Sequence, residues 1–327
     1  MAKYKIVITD YYYASQEAEN RAYATLDGDV EVVDLTKLAP GGLFRPEEII
    51  PHVQDCDALV TQFATINADV IHAMKRCRVI SRYAIGVDNI DIEAATAQHI
   101  YVANVPDYCI DEVSNTAAAH LLNAMRKLGL ARDRLLNGTF EMNAILPIRR
   151  ISHCTLCLLG FGHIARALAV KMKPFFGKIV AYDPYFQDRA AWPDVEFRDE
   201  IHAAVADADA ISVHVPLNSA TRGLVNADVL AAAKDGVVVV NTARGGVIDE
   251  AALIAALDSG KVMHAGLDVI DGEDFSKSPY LHHPKVTLTP HFGWCSEEAV
   301  QELQRKVAEN VVSCLKKGEP VYHVNRW

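Results

Sequence analysis

Two hydrophobic patterns alternate along this chain. Short runs of β-branched and other apolar residues are typical of buried strands, and longer stretches with apolar residues every three or four positions are typical of amphipathic helices. The runs predict strands at residues 5–9, 30–34, 58–61, 79–82, 155–159, 179–182, 210–214, 237–241, 264–267 and 286–289. The stretches predict helices at 46–53, 69–74, 165–172, 226–233, 250–257 and 296–317, with a long helical region at 112–136.

Strands and helices in alternation predict parallel sheets that are covered by helices. The alternation occurs once before the helical region 112–136 and again after it, and 327 residues are enough for two domains. We therefore predict an α/β protein with two doubly wound parallel sheets. The last helix follows Ser296, a potential N-cap, and precedes Gly318, a potential C-terminal stop.

The charge, the apolar segments and the cysteines narrow the class of function. The chain has 32 Lys and Arg against 42 Asp and Glu, a formal charge of −10, without a basic stripe, which argues against a nucleic-acid partner. No segment approaches the ~20 apolar residues of a membrane span, and the first ten residues do not resemble a signal peptide. Seven scattered cysteines, an odd number, favour reduced thiols and a cytoplasmic location.

Cys154 and Cys157 form a C-x-x-C pair, which could indicate a redox or metal site. Both lie in a predicted strand, where positions three apart point to opposite faces. No second pair of ligands completes a zinc site. We therefore expect no metal. We expect the histidines other than His291, including His282 and His283, to lie on surface loops.

A glycine-rich turn follows the predicted strand 155–159. Gly160, Gly162 and Ala165 form G-x-G-x-x-A, in which the first glycine permits a tight turn and the second lets the backbone approach a pyrophosphate. Asp183 follows the next strand, 21 residues after Gly162, where a carboxylate can bind the adenosine ribose and repel a 2′-phosphate. The order of strand, glycine-rich turn, helix, strand and carboxylate predicts a dinucleotide site that favours NAD over NADP. The alternative for Asp183 is a turn formed with Pro184.

Three polar segments follow three later predicted strands: 241–249, which contains Arg244; 266–273, which ends at Glu273; and 289–293, which contains His291. Ligands bind at the carboxyl ends of strands in open α/β sheets. The glycine-rich turn and these three segments together resemble the motifs of the D-isomer-specific 2-hydroxyacid dehydrogenase family, and the resemblance covers nearly the whole chain. Arg82, Trp294 and residues 275–276 resemble its C-terminal-binding-protein-like branch. The chain differs from the usual pattern at Cys157, Ala165 and Asp274.

The resemblance implies hydride transfer between NAD(H) and a small 2-hydroxy or 2-keto acid. It implies that His291 is the acid/base, that Glu273 is its carboxylate partner, and that Arg244 binds the substrate carboxylate and carbonyl. The implied cofactor-binding residues are Gly160, Gly162, His163, Ile164, Asp183, Val215, Pro216, Thr221, Thr242, Ala243, Arg244, Asp268, His291 and Gly293. The implied substrate-binding residues are Arg82, Gly86, Val87, Arg244, His291 and Trp294.

Two of these substrate residues have a second interpretation. Arg82 could bind an anion or form a structural ion pair with Asp88, and Trp294 could line the pocket or pack in the core. The resemblance also implies a discontinuous substrate domain, 1–103 plus 295–327, a NAD-binding domain, 104–294, and a homodimer formed through 112–136. One alternative function is a NAD(H)-sensing, corepressor-like scaffold. Another is oxidation of an inorganic or phosphonate-like anion.

Overall fold

The computed structural model describes residues 3–327, apart from the side chain of residue 144. The strands are β1 Tyr4–Ile8, β2 Val30–Asp34, β3 Ala58–Thr61, β4 Val79–Arg82, β5 Tyr101–Ala103, β6 Thr155–Leu159, β7 Lys178–Tyr182, β8 Val195–Arg198, β9 Ala210–Val213, β10 Val237–Asn241, β11 Val262–Leu267 and β12 Val286–Leu288. The helices are α1 Glu17–Tyr23, α2 Pro46–Val53, α3 Ala68–Ala73, α4 Ile92–Ala97, α5 Ile110–Arg126, α6 Leu128–Leu136, α7 His163–Met172, α8 Ile201–Val205, α9 Ala227–Ala232, α10 Glu250–Ser259 and α11 Glu297–Lys317.

The chain divides into two units, one of them discontinuous. The first contains the chain up to Tyr108 together with Ser296–Trp327, and the second is Cys109–Cys295. The first sheet has the order β2-β1-β3-β4-β5 and the second has the order β12-β11-β10-β9-β6-β7-β8, with parallel pairings throughout both described sheets. The predicted class, two doubly wound parallel sheets with one discontinuous domain, is confirmed.

The second sheet is buried on both faces, which is why its strands are almost continuously apolar. Along β6, Cys157 and Leu159 pack into one hydrophobic cluster, while Leu156 and Leu158 pack into the other. Helices α9 and α10 cover the first of these faces, and α5 and α7 cover the second. Cys154 lies in the second cluster, opposite Cys157, so the two thiols are separated by the sheet.

The long helical segment predicted at 112–136 is two helices in the structure. Lys127, with φ 53°, ends α5 in the left-handed conformation, and α6 starts at the next residue. The side chain of Asn123 accepts the N–H of Gly129 at 3.0 Å and so stabilises the break. Periodicity alone missed this, because it reports the apolar face of a segment and not a single residue with positive φ.

The C-terminal helix α11 begins and ends as predicted. The Ser296 side chain accepts the N–H of Ala299 at 2.9 Å, and Gly318 takes the left-handed conformation, φ 94°, at the other end. No helix within residues 3–327 combines the length and apolar character needed to cross a bilayer. All seven cysteines are free thiols, and Cys295 alone among them is exposed.

Candidate active site

The glycine-rich turn lies at the carboxyl end of β6, where the strand order reverses between β6 and β9. Gly160 has φ 91°, and a Cβ there would lie 2.9 Å from the carbonyl carbon and oxygen of His214, so the turn is closed against β9. Gly162 is the N-cap of α7, and a Cβ there would meet no described atom within 4 Å. The turn therefore offers open backbone, followed by the first N–H groups of α7 at His163 and Ile164.

Asp183 follows β7 and holds the turn from the side. Its Oδ2 accepts the N–H of Phe161 at 2.8 Å, and its Oδ1 accepts the N–H groups of Tyr185 and Phe186 at 2.9 and 3.1 Å. The turn-forming interpretation of this residue is therefore present in the structure. A carboxylate has about four acceptor positions, so capacity for a ribose hydroxyl remains.

The other residues predicted to bind the cofactor also follow carboxyl ends of strands. Val215 and Pro216 come after β9, and the hydroxyl of Thr221 donates to the Pro216 carbonyl at 2.5 Å. Thr242 and Ala243 come after β10. The Thr242 hydroxyl is buried and has no hydrogen-bond partner within residues 3–327. Such an unsatisfied polar atom is costly unless a bound group or water supplies its partner.

Arg244, Glu273 and His291 lie on loops that leave one edge of the second sheet. In the register of β10, β11 and β12, Asn241 pairs with Leu267 and Leu267 pairs with Leu288. The three loops therefore begin side by side, on the same edge as the glycine-rich turn. The positions of the three residues in the sequence did not require these loops to be neighbours. The strand order β12-β11-β10 makes them neighbours.

His291 and Glu273 form a hydrogen-bonded pair. Nδ1 of His291 lies 2.8 Å from Oε2 of Glu273, and both side chains are partly accessible, at 27% and 43%. Both residues have positive φ, 51° and 57°, a conformation that non-glycine residues adopt at a cost. The pairing that the resemblance implied is therefore present, in a strained backbone that its surroundings must hold.

The loop of Arg244 packs tightly on the loop of Glu273. A Cβ on Gly245 would lie 1.9 Å from the carbonyl carbon of Ile270, so glycine is required where the two backbones cross. The buried Asn241 side chain accepts the N–H of Ala243 and donates to the carbonyl of Arg244, each at 2.9 Å. The Arg244 guanidinium donates from Nη1 to the Ala243 carbonyl at 2.7 Å.

Asp268 and Trp294 hold the loop of His291. The buried Asp268 carboxylate accepts the N–H groups of Phe292 and Gly293, at 3.2 and 2.9 Å, and its carbonyl accepts the N–H of His291 at 2.8 Å. The Trp294 indole N–H donates to the carbonyl of His291 at 2.9 Å. The described contacts therefore hold this loop in place through three residues that were predicted to bind ligands: Asp268, Gly293 and Trp294.

In the first unit, Arg82 braces the loop that contains Gly86 and Val87. The buried guanidinium donates from Nε to the Gln62 carbonyl at 3.0 Å and from Nη1 to the Gly86 carbonyl at 2.5 Å. Nη1 also lies 3.9 Å from Oδ2 of Asp88. The structural interpretation of Arg82 is therefore present, and a contact with a substrate anion stays a prediction.

Comparison with known proteins identifies the family. Residues 118–293 match the model of the D-isomer specific 2-hydroxyacid dehydrogenase NAD-binding domain, which is more than half of the chain. The chain belongs to the D-isomer specific 2-hydroxyacid dehydrogenases. It therefore has the nicotinamide dinucleotide-binding domain of this family, in the unit that contains the glycine-rich turn and the His291–Glu273 pair.

The relatives that this chain matches differ in length. The chain is 37% identical to a hydroxypyruvate reductase of Thermotoga maritima over 273 residues, 81% of this chain and 87% of that protein. It is 36% identical to a D-3-phosphoglycerate dehydrogenase of Mycobacterium tuberculosis over 267 residues, 81% of this chain but 50% of that protein. The chain thus spans about half the length of the phosphoglycerate dehydrogenases that it matches.

A solved structure shows the same fold over nearly the whole length of the chain. A glyoxylate reductase from Paecilomyes thermophila superposes with a TM-score of 0.87 at 26% identity, covering 99% of each chain.

The prediction that the other histidines lie on surface loops was wrong for His120 and His264, whereas His282 and His283 lie outside the helices and strands as predicted. His120 on α5 and His264 on β11 are buried, with 5% and 7% exposure, and not on surface loops. Burial and the neighbouring His120, His283 and Lys127 lower the pKa of His264 to about 4. Single histidines within apolar segments carry no motif, so the sequence offered no signal. Among residues 3–327, no group of three or more His, Cys, Asp and Glu side chains is arranged to bind a metal.

Proposed function

We propose that this dehydrogenase interconverts a small 2-hydroxy acid and its 2-keto acid with NAD(H). The observation that carries the proposal is the 2.8 Å hydrogen bond between His291 and Glu273, on loops that leave the sheet edge of the glycine-rich turn. The glyoxylate and hydroxypyruvate reductases among its relatives support a small 2-keto acid as substrate.

The dinucleotide fits the residues of this edge. Open backbone at Gly162, the N-terminus of α7 and the unsatisfied Thr242 hydroxyl suit phosphate and ribose groups. The remaining acceptor capacity of Asp183 suits a ribose with free hydroxyls, which favours NAD over NADP. A bound nicotinamide would supply the hydride for C2 of the keto acid, or take it up from C2 of the hydroxy acid. Val215, Pro216, Thr221 and Ala243 complete the proposed binding surface.

His291 supplies the proton chemistry of the proposed reaction. Glu273 accepts the Nδ1–H hydrogen bond, which sets the tautomer and leaves Nε2 as the nitrogen that exchanges a proton with the substrate oxygen. Through this nitrogen His291 would donate a proton in reduction and accept one in oxidation. Arg244 would hold the substrate carboxylate and polarise its carbonyl.

The test is NADH oxidation with glyoxylate, pyruvate and hydroxypyruvate, using wild type, His291→Gln and the control His282→Gln. His282 is exposed and its ring is not part of the proposed site. We expect His291→Gln to lower kcat by roughly 10²–10⁴ while NADH still binds, and His282→Gln to keep the wild-type rate. Full activity in His291→Gln would refute the role of His291. Wild type that binds NADH but reduces no 2-keto acid would favour the sensing scaffold of the C-terminal-binding-protein-like branch.

The assembly and the compartment belong to this proposal as well. Five large apolar side chains between residues 128 and 142 are more than half exposed: Leu128, Leu135, Leu136, Phe140 and Met142. Such a surface is typical of a twofold dimer contact. Sedimentation velocity of wild type and Phe140→Glu tests the homodimer, since the acidic variant should dissociate. Seven free thiols support a cytoplasmic location.

A further inference from the structure

A chain of partly buried polar contacts reaches the His291 loop from α5. Nε2 of His120 lies 3.2 Å from the hydroxyl of Thr289, and this hydroxyl lies 2.6 Å from Oδ1 of Asp268. His120 packs against β11 at Gly266, where a Cβ would lie 2.8 Å from the His120 ring. Glycine at this position therefore makes room for the ring.

The direction of the hydrogen bonds in this chain follows from the proton count. A hydroxyl has one proton and an ionised carboxylate only accepts, so the Thr289 proton lies toward Asp268. The Thr289 oxygen must then accept a hydrogen bond from Nε2–H of His120, which fixes the ring as the Nε2–H tautomer. Burial lowers the pKa of His120, which favours the neutral ring that this tautomer requires, although the charge of Asp268 opposes the shift.

Asp268 connects this chain of hydrogen bonds to the loop that contains His291. It binds three consecutive backbone N–H groups, those of His291, Phe292 and Gly293, through its carbonyl and carboxylate oxygens. His291 has φ 51°, a strained conformation that relaxes unless it is held. The orientation of Asp268 therefore controls the backbone from which His291 reaches Glu273.

We propose that His120 is a positioning residue for His291, acting through Thr289 and Asp268. The inference rests on the proposed function, because it assigns His291 the proton transfer. Loss of the His120 donor frees the Thr289 hydroxyl to rotate away from Asp268 and loosens the loop. A displacement of about 1 Å at a reacting group can lower the rate by about 100-fold.

The chain offers a matched control in the same core. His264 is equally buried, and its Nε2 lies 2.9 Å from the hydroxyl of Thr287. The hydroxyl of Thr287 also accepts the amide of Asn123 at 2.9 Å. His264→Leu therefore removes a partly buried histidine–threonine hydrogen bond, and the described hydrogen bonds of His264 and Thr287 do not lead to Asp268.

The experiment compares His120→Leu, His120→Gln, Thr289→Val and His264→Leu with wild type in four readouts: kcat, KM for the 2-keto acid, Kd for NADH by fluorescence, and Tm. We expect His120→Leu and Thr289→Val to lower kcat roughly 10- to 100-fold, with KM and Kd within about threefold of wild type. A fifth variant that combines His120→Leu with Thr289→Val should be no slower than the slower of these two single variants, because both substitutions break one chain of contacts. The Gln amide can donate from the position of Nε2, so His120→Gln should keep most of the rate.

Other outcomes overturn the inference. It fails if His120→Leu keeps the wild-type kcat, or if His264→Leu loses as much kcat as His120→Leu, since a general core defect then explains the loss. If His120→Leu does not fold, the near-isosteric Thr289→Val and the conservative His120→Gln carry the same test. Wild type that binds NADH but reduces none of the three 2-keto acids refutes the proposed function and this inference together. An active wild type with an equally active His120→Leu refutes the inference alone.

Discussion

Gly160 and Gly162 lie two residues apart in one turn, and the structure predicts opposite effects for an added methyl group. Gly160 has φ 91°, and its new Cβ would lie 2.9 Å from the backbone of His214 and from Cγ1 of Val215. Gly162 has φ −72° and ψ −165°, which alanine adopts readily, and its new Cβ would meet no described atom within 4 Å. Gly160→Ala should therefore damage the fold, and Gly162→Ala should damage only cofactor binding.

The magnitudes separate the two variants. Gly160→Ala costs about 1–3 kcal/mol in backbone strain and a further 1–3 kcal/mol or so from overpacking. Gly162→Ala should change the stability of the protein without ligand by less than about 1 kcal/mol, because the restriction of the unfolded chain is offset by the poorer N-cap that alanine makes for α7. For a unit of this size each kcal/mol shifts Tm by roughly 2–4 °C. Gly160→Ala should thus melt at least about 4 °C below wild type, and Gly162→Ala should melt close to it.

The binding assay is a fluorescence titration with NADH, paired with thermal unfolding in the absence of nucleotide. In Gly162→Ala the methyl group occupies the space through which the backbone approaches the pyrophosphate, so Kd should rise about tenfold or more, or about 1.4 kcal/mol. Unchanged Kd with unchanged Tm would show that the pyrophosphate does not lie against Gly162. A fall in Tm as large as that of Gly160→Ala would refute the open space itself.

Three further predictions test the nucleotide preference, the loop contact and a buried histidine. Asp183→Ala should lower the ratio of kcat/KM for NADH to kcat/KM for NADPH about tenfold or more. The ratio is measured because the loss of the hydrogen bonds to Phe161, Tyr185 and Phe186 also weakens the turn for both nucleotides. An unchanged ratio would refute the ribose role of Asp183. Gly245→Ala places a Cβ 1.9 Å from the Ile270 carbonyl carbon and should destabilise the fold by about 3 kcal/mol or more, whereas a wild-type Tm would mean that the two loops separate freely. The pKa of His264 is depressed from 6.5 to about 4, so the unfolded state binds more protons between these values and the free energy of unfolding falls as pH drops through this window. In urea titrations at pH 7.5 and 4.5, His264→Gln should reduce that fall by up to about 3 kcal/mol, and an equal fall in both proteins would contradict the buried neutral state.

The predictable elements are those whose residues carry a local signal. Strand β10 is almost wholly valine and α11 has both caps in its sequence, so both were found within a residue or two. Strands β5 and β8, of three and four residues, were missed, as were the short helices α1, α4 and α8. Elements of this length satisfy no period, and they form because a neighbouring strand or an adjacent helix completes them.

The candidate site divides in the same way. The glycines, Asp183, Arg244, Glu273 and His291 are found in short motifs, because the chemistry of phosphate binding and proton transfer demands particular residue types at particular spacings. The contacts that hold them did not appear in any motif. The buried His120 is separated from Thr289 by 169 positions, and the residues near each of them show nothing unusual.

The sequence alone determined the fold class, the dinucleotide turn and the chemical identity of the proposed catalytic groups, since each depends on residues close together in the chain. The tertiary structure decided which loops share an edge, where glycine is sterically required, and which buried side chains hold His291 in a strained conformation. The physical reason is that packing and hydrogen bonding act over a few ångströms in space. The strand order brings together groups that are far apart in the sequence.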